Sequence, residues 1–198
     1  MKKNLIRLSC LLLLAFASCK SCKKDVAPID QLPPETQTGA NTAGALIDGV
    51  AWLPNGNNGP IPAIRPISGG YMSASQGIPK HSVSLRMVKN DRTGIEFFVQ
   101  SVDKPGRYPL SFDTGLLYSS PNPKSYGLYT IDGLSNTDPD YNYITTSTKT
   151  GYVNFTVADT LTGNIAGTFE FDAIDNPSGK TIKISGGRFD IDKKTLNK

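Results

Sequence analysis

The sequence predicts an all-β fold: a single antiparallel domain of about 8–10 short strands, arranged as a β-sandwich or a flattened β-barrel. Three observations carry this expectation. Apolar and polar residues alternate over short runs. In Ser82 to Val88, for example, Val83, Leu85 and Met87 alternate with Ser82, Ser84 and Arg86. Clusters of Gly, Pro, Asn and Asp interrupt these runs at close intervals. Beyond the N-terminal leader, no stretch keeps the period of an amphipathic helix over three turns. The roughly 155 residues from Asn41 onward are enough for one core.

Taken in order, Ala45 to Leu53 reads as a hairpin around Asp48-Gly49, a pair suited to a type I′ turn because both central residues need positive φ. Pro54 to Gly59 is a loop, and residues 60–80, rich in Pro, Gly and Ser, promise little regular structure. Strands follow at 82–88 and 94–102, with Asn90 to Thr93 turning between them; Ile95, Phe97 and Val99 share one face of the second. Lys104-Pro105-Gly106 turns the chain into Arg107 to Phe112. This is an edge-type strand, since Pro109 has no N–H for a ladder. Short strands are expected at 116–118 and 126–131, and loops at 119–125 and 136–142. Tyr143 to Thr148 and Tyr152 to Ala158 read as a pair joined around Lys149-Thr150-Gly151. Strands at 164–173 and 180–191 close the domain across the Asn176 to Gly179 turn, with a bulge at Gly186-Gly187.

The N-terminus carries a different signal. Lys2, Lys3 and Arg7 form a basic start, Leu11 to Phe16 an apolar run, and Ala17-Ser18 lead into Cys19. This is the pattern of a secretory signal. The apolar run falls well short of the ~20 residues that span a bilayer. Phe16-Ala17-Ser18-Cys19 resembles a bacterial lipoprotein box, so Cys19 is the expected lipidation site. Cys10 lies inside the leader, and Lys20-Ser21 before Cys22 fits the box poorly. With Cys10 removed and Cys19 acylated, Cys22 remains alone, which excludes an internal disulfide and a cysteine-rich metal site. The domain organisation is then a signal peptide at 1–18, a lipidated cysteine and flexible tether at 19–40, and the all-β domain at 41–198. The tether is poor in large apolar groups.

The whole chain has 21 Lys and Arg against 17 Asp and Glu, a net charge of +4. Without the three basic residues of the leader it is +1. A near-neutral mature surface does not suit a nucleic-acid binder. Lys20, Lys23 and Lys24 cluster beside the anchor, where each adds up to about 1 kcal/mol of attraction to anionic lipid.

Two segments resemble a known family. QLPPETQTGANTAGALIDGVAWLP resembles the opening, and GTFEFDA…GKTIKISGGRFDI the closing hairpin, of a family of uncharacterised lipoproteins from Bacteroidota. The small residues Ala43 and Ala45 depart from that family's bulkier pattern. The resemblance implies origin, anchoring and an all-β fold. It supplies no activity and no catalytic residues.

The inventory of chemistry is short. His81 is the only histidine, which excludes a histidine triad of metal ligands. A Ser-His-Asp hydrolase would need it as base, and no G-x-S-x-G elbow accompanies it. Glycoside hydrolysis needs two carboxylates about 5–10 Å apart. Outside the tether the only Glu are Glu96 and Glu170, each opposite its apolar neighbours and so turned away from the core. Asp138, Asp140 and Asn142 have the alternate spacing of a calcium loop, but Pro139 interrupts it and no Glu closes it. Tyr118, Tyr126, Tyr129, Tyr141, Tyr143 and Tyr152 crowd one stretch, and Tyr141 and Tyr143 share a face if extended. Exposed, they would form a surface for a glycan or a protein partner; otherwise they are ordinary strand residues. Asp159-Thr160-Leu161 resembles the O-glycosylation site of exported Bacteroidota proteins, which makes Thr160 a candidate. No P-loop or dinucleotide fingerprint is present.

These readings lead to a lipid-anchored cell-envelope protein with a non-enzymatic binding or structural role. It is expected to be a monomeric domain without cofactor, held at the outer membrane and facing the periplasm. Lys20-Ser21 lacks the acidic run that resembles a surface-export signal. A small Asp/Glu-based hydrolase of envelope glycans and an inhibitor or immunity-type protein are the alternatives.

Overall fold

The computed structural model describes residues 26–56, 64–75, 77–112, 123–132 and 140–196. Among them the protein is almost wholly β. Its strands are β1 (Thr42–Ile47), β2 (Val50–Trp52), β3 (Ile67–Tyr71), β4 (Val83–Val88), β5 (Thr93–Val99), β6 (Gly106–Leu110), β7 (Tyr126–Ile131), β8 (Tyr141–Ile144), β9 (Gly151–Ala158), β10 (Ile165–Asp175) and β11 (Thr181–Ile191). All pair antiparallel in one curled sheet, in the order β2-β1-β11-β10-β8-β7-β5-β4-β3; β9 also pairs with β10 and carries β6 on its far side. The eleven strands exceed the expected number.

The sheet folds over on itself. Phe97 on β5 places its ring 5.5 Å from Phe169 on β10, 5.4 Å from Phe189 on β11 and 6.5 Å from Phe155 on β9, none of them ladder neighbours of β5. Val83, Leu85, Met87, Ile95 and Val99 join this inner core, so the alternation read from the sequence places these side chains correctly. The end strand β2 reaches across the curl to β5, where the Trp52 indole N–H donates to Thr93 Oγ1 at 2.8 Å. Ala43 and Ala45 are buried in the same core, and Ala45 lies directly across from Trp52, so the small residues leave room for the indole.

The β1–β2 turn has φ 47° at Asp48 and φ 82° at Gly49, as a type I′ turn requires. A Cβ at Gly49 would meet nothing within 4 Å, so the backbone angle alone demands glycine. Gly49→Ala is expected to cost about 1–2 kcal/mol, read as a lower urea midpoint with an unchanged slope. The bulge also forms: the β10–β11 register jumps between Gly187 and Ile184, with Gly186 at φ 56°. β6 is bonded only to β9, the edge position expected from Pro109.

Three expectations are corrected. Residues 60–80 contain β3, whose Gly69 and Gly70 look like loop residues. Gly69 lies against β4, where a Cβ would stand 2.1 Å from the Ser84 carbonyl oxygen. β8 and β9 are not partners. β10 is longer than β9; it pairs with β9 along Ile165 to Phe171 and takes β8 at Ile174 and Asp175. The turn between β8 and β9 therefore bridges two branches of the sheet and closes no hairpin.

The third correction concerns the tether at 19–40. Its described part is docked. Pro28–Gln31 form a 3₁₀ turn, Leu32 is buried, and the Pro33 carbonyl accepts from the Arg188 guanidinium at 3.1 Å. The chain then wraps the carboxylate of Asp190, which is 3% exposed. That carboxylate accepts from Thr36 Oγ1 (2.6 Å) and from the backbone N–H groups of Thr38 (2.9 Å), Gly39 (2.9 Å) and Ala40 (3.2 Å). Composition predicted disorder because the segment buries little apolar surface. It is held by charge-assisted hydrogen bonds to a residue about 150 positions away, which composition does not reveal.

Candidate functional site

Where β9 and β8 leave β10, the outer face of the sheet opens into a trough. Gly151 begins β9, and a Cβ there would stand 2.2 Å from the Glu170 carbonyl oxygen, so glycine permits this close start. Thr150 accepts from the Asp172 N–H at 3.1 Å, and ladder pairing resumes only at Ile174. The depression encloses about 250 Å³ and is lined by Arg107 of β6, Tyr152 of β9, Glu170 and Asp172 of β10, and Lys183 of β11. A second hollow of about 160 Å³ shares Asp172 and Lys183 and adds Lys149 and Asp48.

The side chains follow from strand parity. Tyr152, Glu170, Asp172 and Lys183 alternate with the core residues Val153, Phe171 and Ile184, so they all face outward. Glu170 lies directly across from Tyr152, and Asp172 across from Lys183. The Arg107 guanidinium sits 3.4 Å from the centre of the Tyr152 ring, a cation–π contact that holds both side chains over the trough. Burial pushes the Tyr152 hydroxyl pKa up; its hydrogen bond to Glu170 and that residue's charge add to this, and Arg107 opposes it. The Lys89–Asp91 ion pair and the His81–Asp103 contact lie elsewhere. Glu170 and Asp172 therefore stand at the centre of the trough, with cationic side chains on both flanks. Glu170 was expected to face solvent and does. The roles of Arg107, Tyr152, Asp172 and Lys183 could not be read from the chain, because only the cross-strand register brings them together.

The tyrosine cluster divides. Tyr129, Tyr141 and Tyr143 form a ladder, with ring centres 6.0 Å apart at each step, and Tyr141 and Tyr143 share a face as their spacing predicts. However, Tyr129 and Tyr143 are buried in the inner core, and burial raises both hydroxyl pKa values. Tyr126 points to the other side of β7. There it is buried with Phe98, Leu128 and Ile144, and donates to Glu96 at 2.5 Å. The expectation of an exposed aromatic surface is thus corrected for Tyr126, Tyr129 and Tyr143. Good strand residues were recruited into the core. Tyr141 is partly open, and Lys180 lies 4.5 Å from its ring centre and 3.1 Å from its hydroxyl.

His81 has φ 60°, pairs through Nδ1 with Asp103, and lies edge-on to Tyr71. Burial, with the nearby charges of Tyr108, Asp103 and Asp159, pushes the Tyr71 hydroxyl up to about 12. Of the calcium-type spacing, Asp140 and Asn142 are described, and the Asn142 backbone donates to Asp175 at 3.1 Å. Among the described residues no three His, Cys, Asp or Glu are grouped to hold a metal ion. Thr160 is exposed in the turn that the Asp159 carboxylate caps by accepting from the Leu161 and Thr162 N–H groups at 2.8 and 3.1 Å. Cys19, Tyr118, Asp138 and the strand expected at 116–118 lie outside the described residues.

No family model, no curated protein and no solved structure matches the chain. Among the described residues no helix is long and apolar enough to cross a membrane.

Proposed function

We propose that the protein is a lipid-anchored envelope protein that binds without catalysing, and that the trough is its ligand site. The signal-and-Cys19 pattern supports the anchor, and the likeness to Bacteroidota lipoproteins supports the compartment, an outer membrane facing the periplasm. The observation that carries the binding role is the trough itself: an open, polar hollow in which two carboxylates stand between cations. Neighbouring strands are about 4.8 Å apart. A ligand with an ammonium group for Glu170 and Asp172, and a carboxylate within about 5–10 Å for Lys183 or Arg107, would satisfy both signs at once. Arg107 covers one face of Tyr152, so stacking on a bare sugar ring is not the mode this site favours. A peptide-bearing envelope glycan has the required chemistry.

The test is equilibrium binding of soluble peptidoglycan fragments, with an uncharged oligosaccharide as comparator. Glu170→Gln with Asp172→Asn is expected to weaken binding of the fragments about tenfold or more, roughly 1.4 kcal/mol, and to leave the urea midpoint nearly unchanged. Equal binding by wild type and variant would remove the trough from the account.

One observation favours a second reading. Glu170 and Asp172 lie two residues apart on one face of β10, about 7 Å between backbones. A glycosidase needs two carboxylates on one face of its site. Release of reducing ends by the wild type, lost in either single variant, would convert the binding site into that of a hydrolase.

A further inference from the structure

We infer that residues 26–40 are a strap rather than a tether, and that the strap presses the trough end of the outer sheet face against the headgroup layer of the bilayer that carries the anchor. The inference rests on the lipid-anchor reading of Cys19. Its structural part is the path of the strap. Ile29 lies over the bulge, where a Cβ on Gly186 would stand 2.7 Å from its Cδ1. Pro33 and Leu32 lie over Gly44, at 3.1 and 3.4 Å from where a Cβ would be. The chain then passes to the Asp190 carboxylate, which takes the four hydrogen bonds described above. Gly44 and Gly186 thus leave the shallow bed, and Asp190 is the latch.

The consequence is one of reach. Between Cys19 and Val26 the chain has seven peptide links, at most about 25 Å end to end. With 19–40 undocked, the same anchor would allow about 70 Å at full extension. The coil average falls similarly, from roughly 25 Å to roughly 15 Å. Docking also fixes where the anchor leaves the domain. Gly186 and Lys183 are three residues apart on β11, so the 3₁₀ turn lies about 10 Å from the trough wall. Val26 is 60% exposed and Ile29 38% exposed at this exit, apolar groups suited to the interface. Lys20, Lys23 and Lys24 immediately before it complement anionic headgroups. The trough is therefore offered to ligands at the membrane surface and not deep in the periplasm.

Trp52, the only tryptophan, lies on β2, against which the 3₁₀ turn packs, and serves as an internal energy-transfer donor. The test uses chain 19–198, which contains every described residue. Cys22→Ser leaves Cys19 as the sole thiol, which is coupled to a maleimide lipid in phosphatidylethanolamine–phosphatidylglycerol vesicles containing a dansyl-headgroup lipid. This coupling makes the result independent of whether cells acylate Cys19, so the strap and the anchor readings fail separately. Transfer from Trp52 is expected to be high. It should fall roughly twofold or more when a flexible Gly-Ser segment of about fifteen residues is inserted between Asp25 and Val26. Asp190→Ala should produce a similar fall, with faster amide exchange over 28–40. Because the insertion leaves the latch intact, it remains informative if Asp190→Ala does not fold. Transfer unaffected by the insertion, or exchange over 28–40 in the unaltered protein as fast as in an unstructured peptide, would overturn the inference.

Discussion

Replacing Phe97 by alanine is expected to destabilise the domain by about 3–5 kcal/mol, the largest effect of any single change considered. Phe97 is fully buried and touches three aromatic rings on β9, β10 and β11, none bonded to its own strand. It therefore joins the two layers of the folded-over sheet. Truncation leaves a hole that the surrounding rings can close only by shifting strands that are themselves fixed by ladders. Urea unfolding followed by Trp52 fluorescence checks this. A loss below about 1 kcal/mol would mean that the layers are not packed as described. Phe112, by contrast, is exposed, and truncating it should change little.

Asp190→Ala is expected to cost about 2–4 kcal/mol and to release the strap. The substitution leaves the N–H groups of Thr38 and Gly39, which are partly shielded by the strap, without their acceptor, and it removes a charged acceptor, which makes the stronger kind of hydrogen bond. Asp190→Asn keeps an oxygen in place and should lose less. The same site sets a pH dependence. Burial alone would raise the Asp190 carboxyl, but the hydrogen bonds from Thr36, Ala40, Thr38 and Gly39 outweigh it and hold its pKa below the usual carboxylate value. A depressed folded-state pKa contributes stability that is present above the unfolded value, about 3.9, and is lost as pH falls through the folded one. Amide exchange over 28–40 is therefore expected to be slow at neutral pH and to accelerate on the acid side, below about pH 4. In Asp190→Ala it should lose that acid dependence. Strap exchange in the unaltered protein that is the same at pH 3 and pH 7, after correction for intrinsic rates, would contradict the latch.

The parts of the fold that the chain reveals are those set by local patterns. Alternation placed Val83, Leu85, Met87, Ile95, Phe97 and Val99 in the core, Asp48-Gly49 announced its turn, Gly186-Gly187 its bulge and Pro109 its edge. What stayed hidden depends on partners distant in sequence. Gly69 reads as loop until β4 is known to press on it, and β8 and β9 read as a hairpin until the extra length of β10 is seen. The strap reads as disordered because its latch is Asp190, one carboxylate on the last strand. The tyrosines show a related limit. Their spacing correctly put Tyr141 beside Tyr143, but parity alone does not say which face of a sheet is wet. The trough was the least legible feature, because Arg107, Tyr152, Glu170, Asp172 and Lys183 come from four strands and meet only through register.

The proposed role is that of a lipid-anchored binding protein of the cell envelope. Its most direct test is the intact mass of the chain extracted from membranes of cells expressing the full sequence. The account predicts a chain that begins at Cys19, carries the added mass of a diacylglycerol and a further acyl chain, and partitions with the membrane. A soluble chain of unmodified mass, or one that retains residues 1–18, would contradict it.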